Sequence, residues 1–270
     1  MGEQVTRRDT GEPAGKGGSE PSRLRTALSD PARVWDLFGI PALILVALAG
    51  LWLLFGDVEL TSREATRLNQ PELLLRARQH ALLSVQAAFW VIVIAVPLGI
   101  VVTRPWARSI TPVVLALANA GQAIPSFGLL IVLAILLGTG QQAAVIAVVA
   151  YCILPVLRNT MVGIEQIDPA IIESGRGMGM TKGQVLRRIE LPLAVPVVLA
   201  GVRTALILAV GTITLGALIG AGTLGVIINS GIVGFSDPVL VTGAVLTACF
   251  ALFIDWLAGL AEVFLRPKGI

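Results

Sequence analysis

The sequence predicts an all-α integral membrane protein of about six transmembrane helices, and three observations carry that prediction. Hydrophobic residues make up 55% of the chain and charged residues only 14%, whereas soluble domains carry roughly 25%. Mean hydropathy is +0.85. Apolar stretches recur at about 20 residues each, the length of helix that crosses the hydrocarbon core of a bilayer.

Residues 1–34 differ in kind from the rest. The run from Gly11 to Ser22 is built of Gly, Pro, Ser and charge; it cannot bury apolar area and is expected to be a disordered cytoplasmic tail. The first apolar stretch, 37–56, is longer than a signal-peptide core of about 7–15 residues. Asp57 and Glu59 follow it in place of a small-residue cleavage site, so it reads as a retained first span. Further spans are expected over 82–103, 111–137, 141–158, 196–219 and 239–262.

Orientation follows from Lys and Arg in short loops. Arg104 and Arg108, the group Arg158, Arg176, Lys182, Arg187 and Arg188, and Arg266 with Lys268 all fall on the side of the basic tail. That side is read as cytoplasmic, with both termini inside a cytoplasmic (inner) cell membrane. Gly138-Thr-Gly140 and the Asp237-Pro238 region lack Lys and Arg and fall outside. One loop runs against the count: 57–81 carries Arg63, Arg67, Arg76 and Arg78. Part of it is expected to form an amphipathic helix leading into the second span. The net charge of +3 mostly reflects cationic loop flanks, and no nucleic-acid partner is expected. Cys152 and Cys249 lie in apolar runs and read as small buried hydrophobes, not as a disulfide or metal site.

The spans are interrupted by Pro97, Pro112, Pro125 and Pro155. Lipid tolerates broken backbone only where protein or a water-filled path covers it; close helix packing at small residues is the other reading. The cluster Asn119-Ala-Gly-Gln122-Ala-Ile-Pro125 places two amides and a proline deep in a span. It marks either a polar pathway or an inter-helix bond. Arg203, Asp255 and Glu262 are ionisable groups in or near spans, where they must face water, the bundle interior or each other. Arg203 either lines the inner end of a pathway or pairs with a carboxylate. Asp255 and Glu262 share a helix face, within reach of Arg266 or of another chain.

The most informative segment is a polar, Gly-rich stretch between two spans. Asp168-Pro169 starts a helix, the Asp accepting from orphan N–H groups and the Pro suiting the first helical position. Gly175, Gly177 and Gly179 weaken or end it. Thr181 restarts a helix, with Gln184 completing a capping box, and Pro192 is expected to stop it. Two short helices joined by a glycine elbow suit a docking knob for a partner's groove; a solvated interfacial helix is the alternative.

Glu173, Gly179, Ile189, Leu191 and Pro192 stand at the spacing of the "EAA" loop of bacterial ABC importer permeases, which this stretch resembles. Ser174 and Gly175 take the places of the two alanines, and Gly175 is expected to loosen that helix. Residues 78–262 resemble the transmembrane domain of type I ABC importers, with 168–192 as the loop that couples to the ATPase. The similarity is strongest to permeases for osmoprotectants such as glycine betaine, carnitine and choline. The supporting stretches are Pro97 to Ile100, Asn119 to Ser126, Ala170 to Pro192 and Ile219 to Ile227. The resemblance implies separate ATPase subunits, a second permease subunit, identical or paralogous, and an extracytoplasmic substrate-binding protein that sets selectivity. It implies transport without chemistry, hence no catalytic residue, cofactor or metal. Asn119, Gln122, Pro125 and Arg203 are the candidates for the translocation pathway.

Other motifs are set aside. Gly220-Ala-Gly222-Thr-Leu-Gly225 matches a dinucleotide fingerprint but follows no strand; a tight reversal or an outer gate fits its place better. No phosphate-binding loop of the Gly-x4-Gly-Lys-Ser/Thr kind occurs, in keeping with an ATPase on a separate protein. His80, the single histidine, is expected near the outer interface. No aromatic cage for a quaternary ammonium group is visible. An ABC permease for an amino acid or sulfonate, and a stand-alone secondary transporter, are the alternatives. The latter would need inverted repeats or mid-membrane coupling residues, and neither is evident.

Overall fold

The computed structural model describes residues 35–265; the tail and the Arg266–Lys268 pair of basic residues lie outside them. A π-turn, Trp35–Gly39, leads into α1 (Ile40–Phe55). After a short α2 (Ser62–Leu68) comes the long α3 (Gln70–Val102), then α4 (Thr111–Ala123), α5 (Ser126–Leu137) and α6 (Gln141–Glu165). Two short helices follow, α7 (Pro169–Gly177) and α8 (Lys182–Val185), and then α9 (Leu191–Thr214), α10 (Gly225–Gly234) and α11 (Asp237–Leu265). No strand occurs among the described residues. Five helical stretches are long and apolar enough to cross a membrane, and the bent pair α4–α5 makes a sixth.

Small residues build the core, as expected where lipid supplies no hydrophobic drive between helices and close contact must do the work. Ala143, Ala144, Ala147, Val148, Cys152 and Val156 of α6 pack against Ala87, Val91 and Ala95 of α3 and against Ala205, Ala209 and Ile213 of α9. Glycines set the closest approaches. A Cβ at Gly99 of α3 would sit 2.7 Å from Thr160, one at Gly121 of α4 would sit 2.4 Å from the Ala150 carbonyl, and one at Gly201 of α9 would sit 2.6 Å from Asn159. Three of its neighbours, α3, α4 and α9, thus present a glycine to α6.

Two elements differ from the sequence reading. The stretch 111–137 is not one straight helix: its two halves meet at 101°. Ile124, held extended before Pro125 (φ −74°, ψ 130°), breaks the helix as pre-proline residues do. Pro192 does not end the second loop helix. From Lys182 to Ile219 the chain is one helical stretch, because Leu186–Glu190 widens into a π-turn in which the Leu191 N–H donates to the Leu186 carbonyl. The wider turn makes room for the proline ring, which would clash with a carbonyl in a regular α-helix. His80 lies fully buried in α3, its ring edge-on to Phe250 of α11 at 5.2 Å.

The expected helix in 57–81 is present, and its arginines are partly compensated. Thr61 and Glu64 cap α2 reciprocally, and the Asn69 side chain accepts from the Glu72 N–H at 2.8 Å to start α3. Glu72 then pairs with Arg76 at 2.8 Å and Arg67 at 3.6 Å. Ser236, before α11, donates its hydroxyl to Glu64 and ties this segment to the α10–α11 turn.

Candidate functional site

At the end of α6, the Asp168 carboxylate accepts from the Ala170 N–H at 2.8 Å, capping α7 as the sequence predicts. The close of α7 has two backbone bonds, Met180 N–H to the Gly175 carbonyl at 3.2 Å and Gly179 N–H to the Arg176 carbonyl at 2.9 Å. That pattern requires a left-handed residue just past the helix end, and Gly179 supplies it with φ +85°. Thr181 and Gln184 then cap α8 reciprocally. The elbow is therefore a defined turn, closed by hydrogen bonds on both sides.

Gly175 sits at the centre of the elbow. It is buried, and a Cβ there would lie 2.5 Å from Ile189 Cδ1. Val185, also buried, faces the same spot. Glycine at this position does not end α7, which runs to Gly177; it lets Ile189 close over the helix. Two segments of the loop motif, fourteen residues apart, thus meet in space. Leu191 and Pro192 are half-buried at the start of α9. Glu173, Ser174, Arg176 and Gly179 are exposed beside Met178, an apolar side chain 72% exposed. The space around Gly179 is open.

A contact the sequence reading missed joins this unit to the bundle. Glu190, buried in the π-turn, accepts from Arg104 Nη2 at 2.6 Å. Arg104 also donates from Nε to the Ile100 carbonyl at 3.1 Å. Thr111 Oγ1 donates to the Val102 carbonyl at 2.9 Å, so the α3–α4 turn is itself cross-tied. The partners lie 86 residues apart; the one local signal was a carboxylate inside an otherwise apolar Ile-Glu-Leu-Pro run.

The pathway candidates do not form one cluster. Asn119 donates to the Leu115 carbonyl at 2.7 Å and accepts from Arg158 Nη2 at 2.9 Å, which joins α4 to α6. Gln122 is half-buried and Pro125 exposed at the bend. Arg203 of α9 grips Asp255 of α11 with two hydrogen bonds, one of 2.9 Å, and lies 3.9 Å from Glu262. At the opposite end of the bundle, Gly220 (φ +83°) and Gly222 (φ +74°) turn the chain back between α9 and α10. No group of three or more potential metal ligands is found among the described residues.

The bundle of spans carries a hydrogen-bonded two-helix knob at one end, and comparison with known proteins identifies the class as membrane permease, a protein that moves a solute without altering it. The chain belongs to the family of binding-protein-dependent transport system inner membrane components, which matches residues 95–266. It is an ABC importer permease subunit and not itself an enzyme. It is 40% identical over 190 residues to a carnitine transport permease protein of Listeria monocytogenes, covering 70% of this chain and 84% of that one. To a choline transport system permease protein of Bacillus subtilis it is 38% identical, covering 75% and 92%. To an osmoprotectant import permease protein of Salmonella typhimurium it is 41% identical, covering 71% and 91%. An inward-facing MetNI methionine ABC transporter matches with a TM-score of 0.65 at 26% identity, covering 74% of this chain and all of that one. Family membership implies ATPase and second permease subunits as partners.

Proposed function

We propose that this permease imports osmoprotectants with a quaternary ammonium group, such as glycine betaine, carnitine and choline. The relatives at about 40% identity, named for these solutes, support the cargo. One observation supports the mechanism most: Gly175 and Ile189 lock the 168–192 loop into a single stiff knob whose Glu173–Gly179 face is open. The knob docks on the ATPase subunit at the cytoplasmic side, with both termini on that side as the basic loops direct. ATP-driven closure of two ATPases pushes two such knobs, and the paired bundles alternate between inward-open and outward-open states. A separate extracytoplasmic protein delivers the solute, and a path between the permeases, with Asn119, Gln122 and Pro125 along it, conducts it. Residues 78–262 form this transport unit, with 37–56 as an added span.

The test is uptake of labelled glycine betaine at high osmolarity in cells lacking other importers, with and without this chain, with choline and carnitine as competitors. Uptake restored by the chain is expected. Uptake unchanged by its presence would contradict the cargo.

A further inference from the structure

Phe235 stands where a helix end calls for glycine. The Phe235 N–H donates to the Ile232 carbonyl at 3.3 Å and the Ser236 N–H to the Gly231 carbonyl at 2.9 Å, a closure that needs a left-handed residue just past α10. Phe235 supplies it with φ +51°, the single positive φ outside glycine among the described residues. A bulky side chain is strained there, whereas glycine would close the same turn freely. The ring gains nothing from packing in return: Phe235 is 96% exposed. Strain of this kind persists where surroundings hold it, and it gathers at functional positions. The support here is rigid. Ser236 accepts from the Val239 N–H at 3.4 Å and donates its hydroxyl to Glu64 of α2. Gly231 lies so close to α11 that a Cβ would sit 2.4 Å from the Leu240 nitrogen.

Position rules against three occupants for the exposed ring. Ser236 is bonded to the segment that carries Asp57, Glu59, Arg63, Glu64, Arg67 and Glu72. So many ionisable groups do not lie in hydrocarbon, and the turn beside them stands at their level, clear of lipid tails. From that segment α3 runs 33 residues, about 50 Å, before Arg104 meets Glu190 beside the knob, so an ATPase on the knob is out of reach. A second permease copy lying alongside in the bilayer covers helix flanks, not this tip. A soluble partner arriving at the end of the bundle remains. Its chemistry follows from α2, which exposes Ser62, Arg63 and Thr66. No ion pair among the described residues uses Arg63. An aromatic anchor beside a polar, cationic rim has the anatomy of a protein interface.

We propose that Phe235 is the anchor on which the extracytoplasmic binding protein docks, its ring seated in an apolar pocket of that protein and Arg63 facing a carboxylate at the pocket's edge. The anchor rests on the orientation and delivery reading above and adds the contact surface to it.

The test is ATP hydrolysis by the whole importer in lipid vesicles, titrated with its purified, solute-loaded binding protein. Phe235→Gly removes the ring and the strain together, and the half-saturating concentration is expected to rise about tenfold or more. Hydrolysis without binding protein, and the amount of folded permease, are expected to stay at or above the wild-type level. Phe235→Trp, which keeps an aromatic ring, is expected to stay close to the wild type. Arg63→Glu is expected to weaken docking more at low salt than at high salt. An unchanged half-saturating concentration in Phe235→Gly would overturn the anchor. If that variant instead loses membrane level or basal hydrolysis, the ring serves the bilayer or the fold, and the anchor is overturned too. Uptake by the wild-type importer that needs no binding protein would overturn the delivery reading and the anchor together.

Discussion

Helices α1 and α6 are both apolar enough to cross a membrane, yet they occupy opposite places in the molecule. The most apolar window of α1 has mean hydropathy 2.5 and is 6% buried, whereas that of α6 has mean hydropathy 1.9 and is 44% buried. In water the more hydrophobic helix would lie inside. In lipid the order reverses, because hydrocarbon solvates Leu and Ile side chains as well as a core does. Smaller residues predominate in the interior instead: α6 buries mainly Ala, Val, Cys, Thr and Gly, with Leu154, Leu157 and Ile164 among them, and α1 turns Leu43, Leu45, Val46, Trp52, Leu53 and Leu54 outward. High hydropathy here reports contact with lipid, and small size reports contact with protein.

The largest expected effect separates the two helices directly. Gly121→Leu would drive a side chain into the Ala150 backbone, and the folded, membrane-inserted permease is expected to be lost. Gly50→Leu in α1, where no atom lies within 4 Å, is expected to leave its amount and uptake unchanged. Equal expression of both variants would break the contrast between buried and lipid-facing spans.

The next effect concerns polar contacts that join helices. Glu190→Ala strands the Arg104 guanidinium beside a buried turn and is expected to cost about 3 kcal/mol. Uptake is expected to fall more than ATP hydrolysis, since the loop can still dock but no longer grips the α3–α4 turn. Exchanging the two charges, Arg104→Glu with Glu190→Arg, is expected to recover part of the uptake. Arg203→Ala is expected to cost less, about 2 kcal/mol in detergent unfolding, because Arg203 and its carboxylate partners are partly exposed.

The smallest effect lies at the end away from the loop. The Ser236 hydroxyl, followed by the Thr61 backbone and side chain, holds the Glu64 carboxyl below the ordinary glutamate range. A depressed carboxylate contributes stability that is complete above the unfolded value, about 4.3, and that is lost as pH falls through the folded one. Thermal stability is therefore expected to decline slightly below about pH 4. Ser236→Ala is expected to move that decline to higher pH.

How much of this was legible in the sequence varied with the range of the interaction. Spans, helix caps and the glycine elbow are set by neighbours a few residues apart, so Asp168, Thr181 with Gln184, and Gly179 could be read directly. The bend at Ile124–Pro125 was masked by continuous hydropathy on both sides of it. Pro192 misled because the π-turn that accommodates it leaves no local mark. His80 buries its ring among α3, α9 and α11, a three-helix environment that no local pattern encodes. The Arg104–Glu190 and Arg203–Asp255 pairs join residues 86 and 52 positions apart. Ionisable groups in apolar runs flagged Arg203 and Asp255, nothing in the sequence reading flagged the Arg104–Glu190 pair, and only the fold could choose the partners.

The central claim is that the 168–192 knob transmits force from the ATPase. Gly179→Trp tests it most directly, because Gly179 carries the turn and faces open space where a partner would sit. The measurement is solute uptake and ATPase co-purification for this variant at matched membrane levels. The account predicts normal insertion with both uptake and co-purification lost; normal uptake by Gly179→Trp would contradict it.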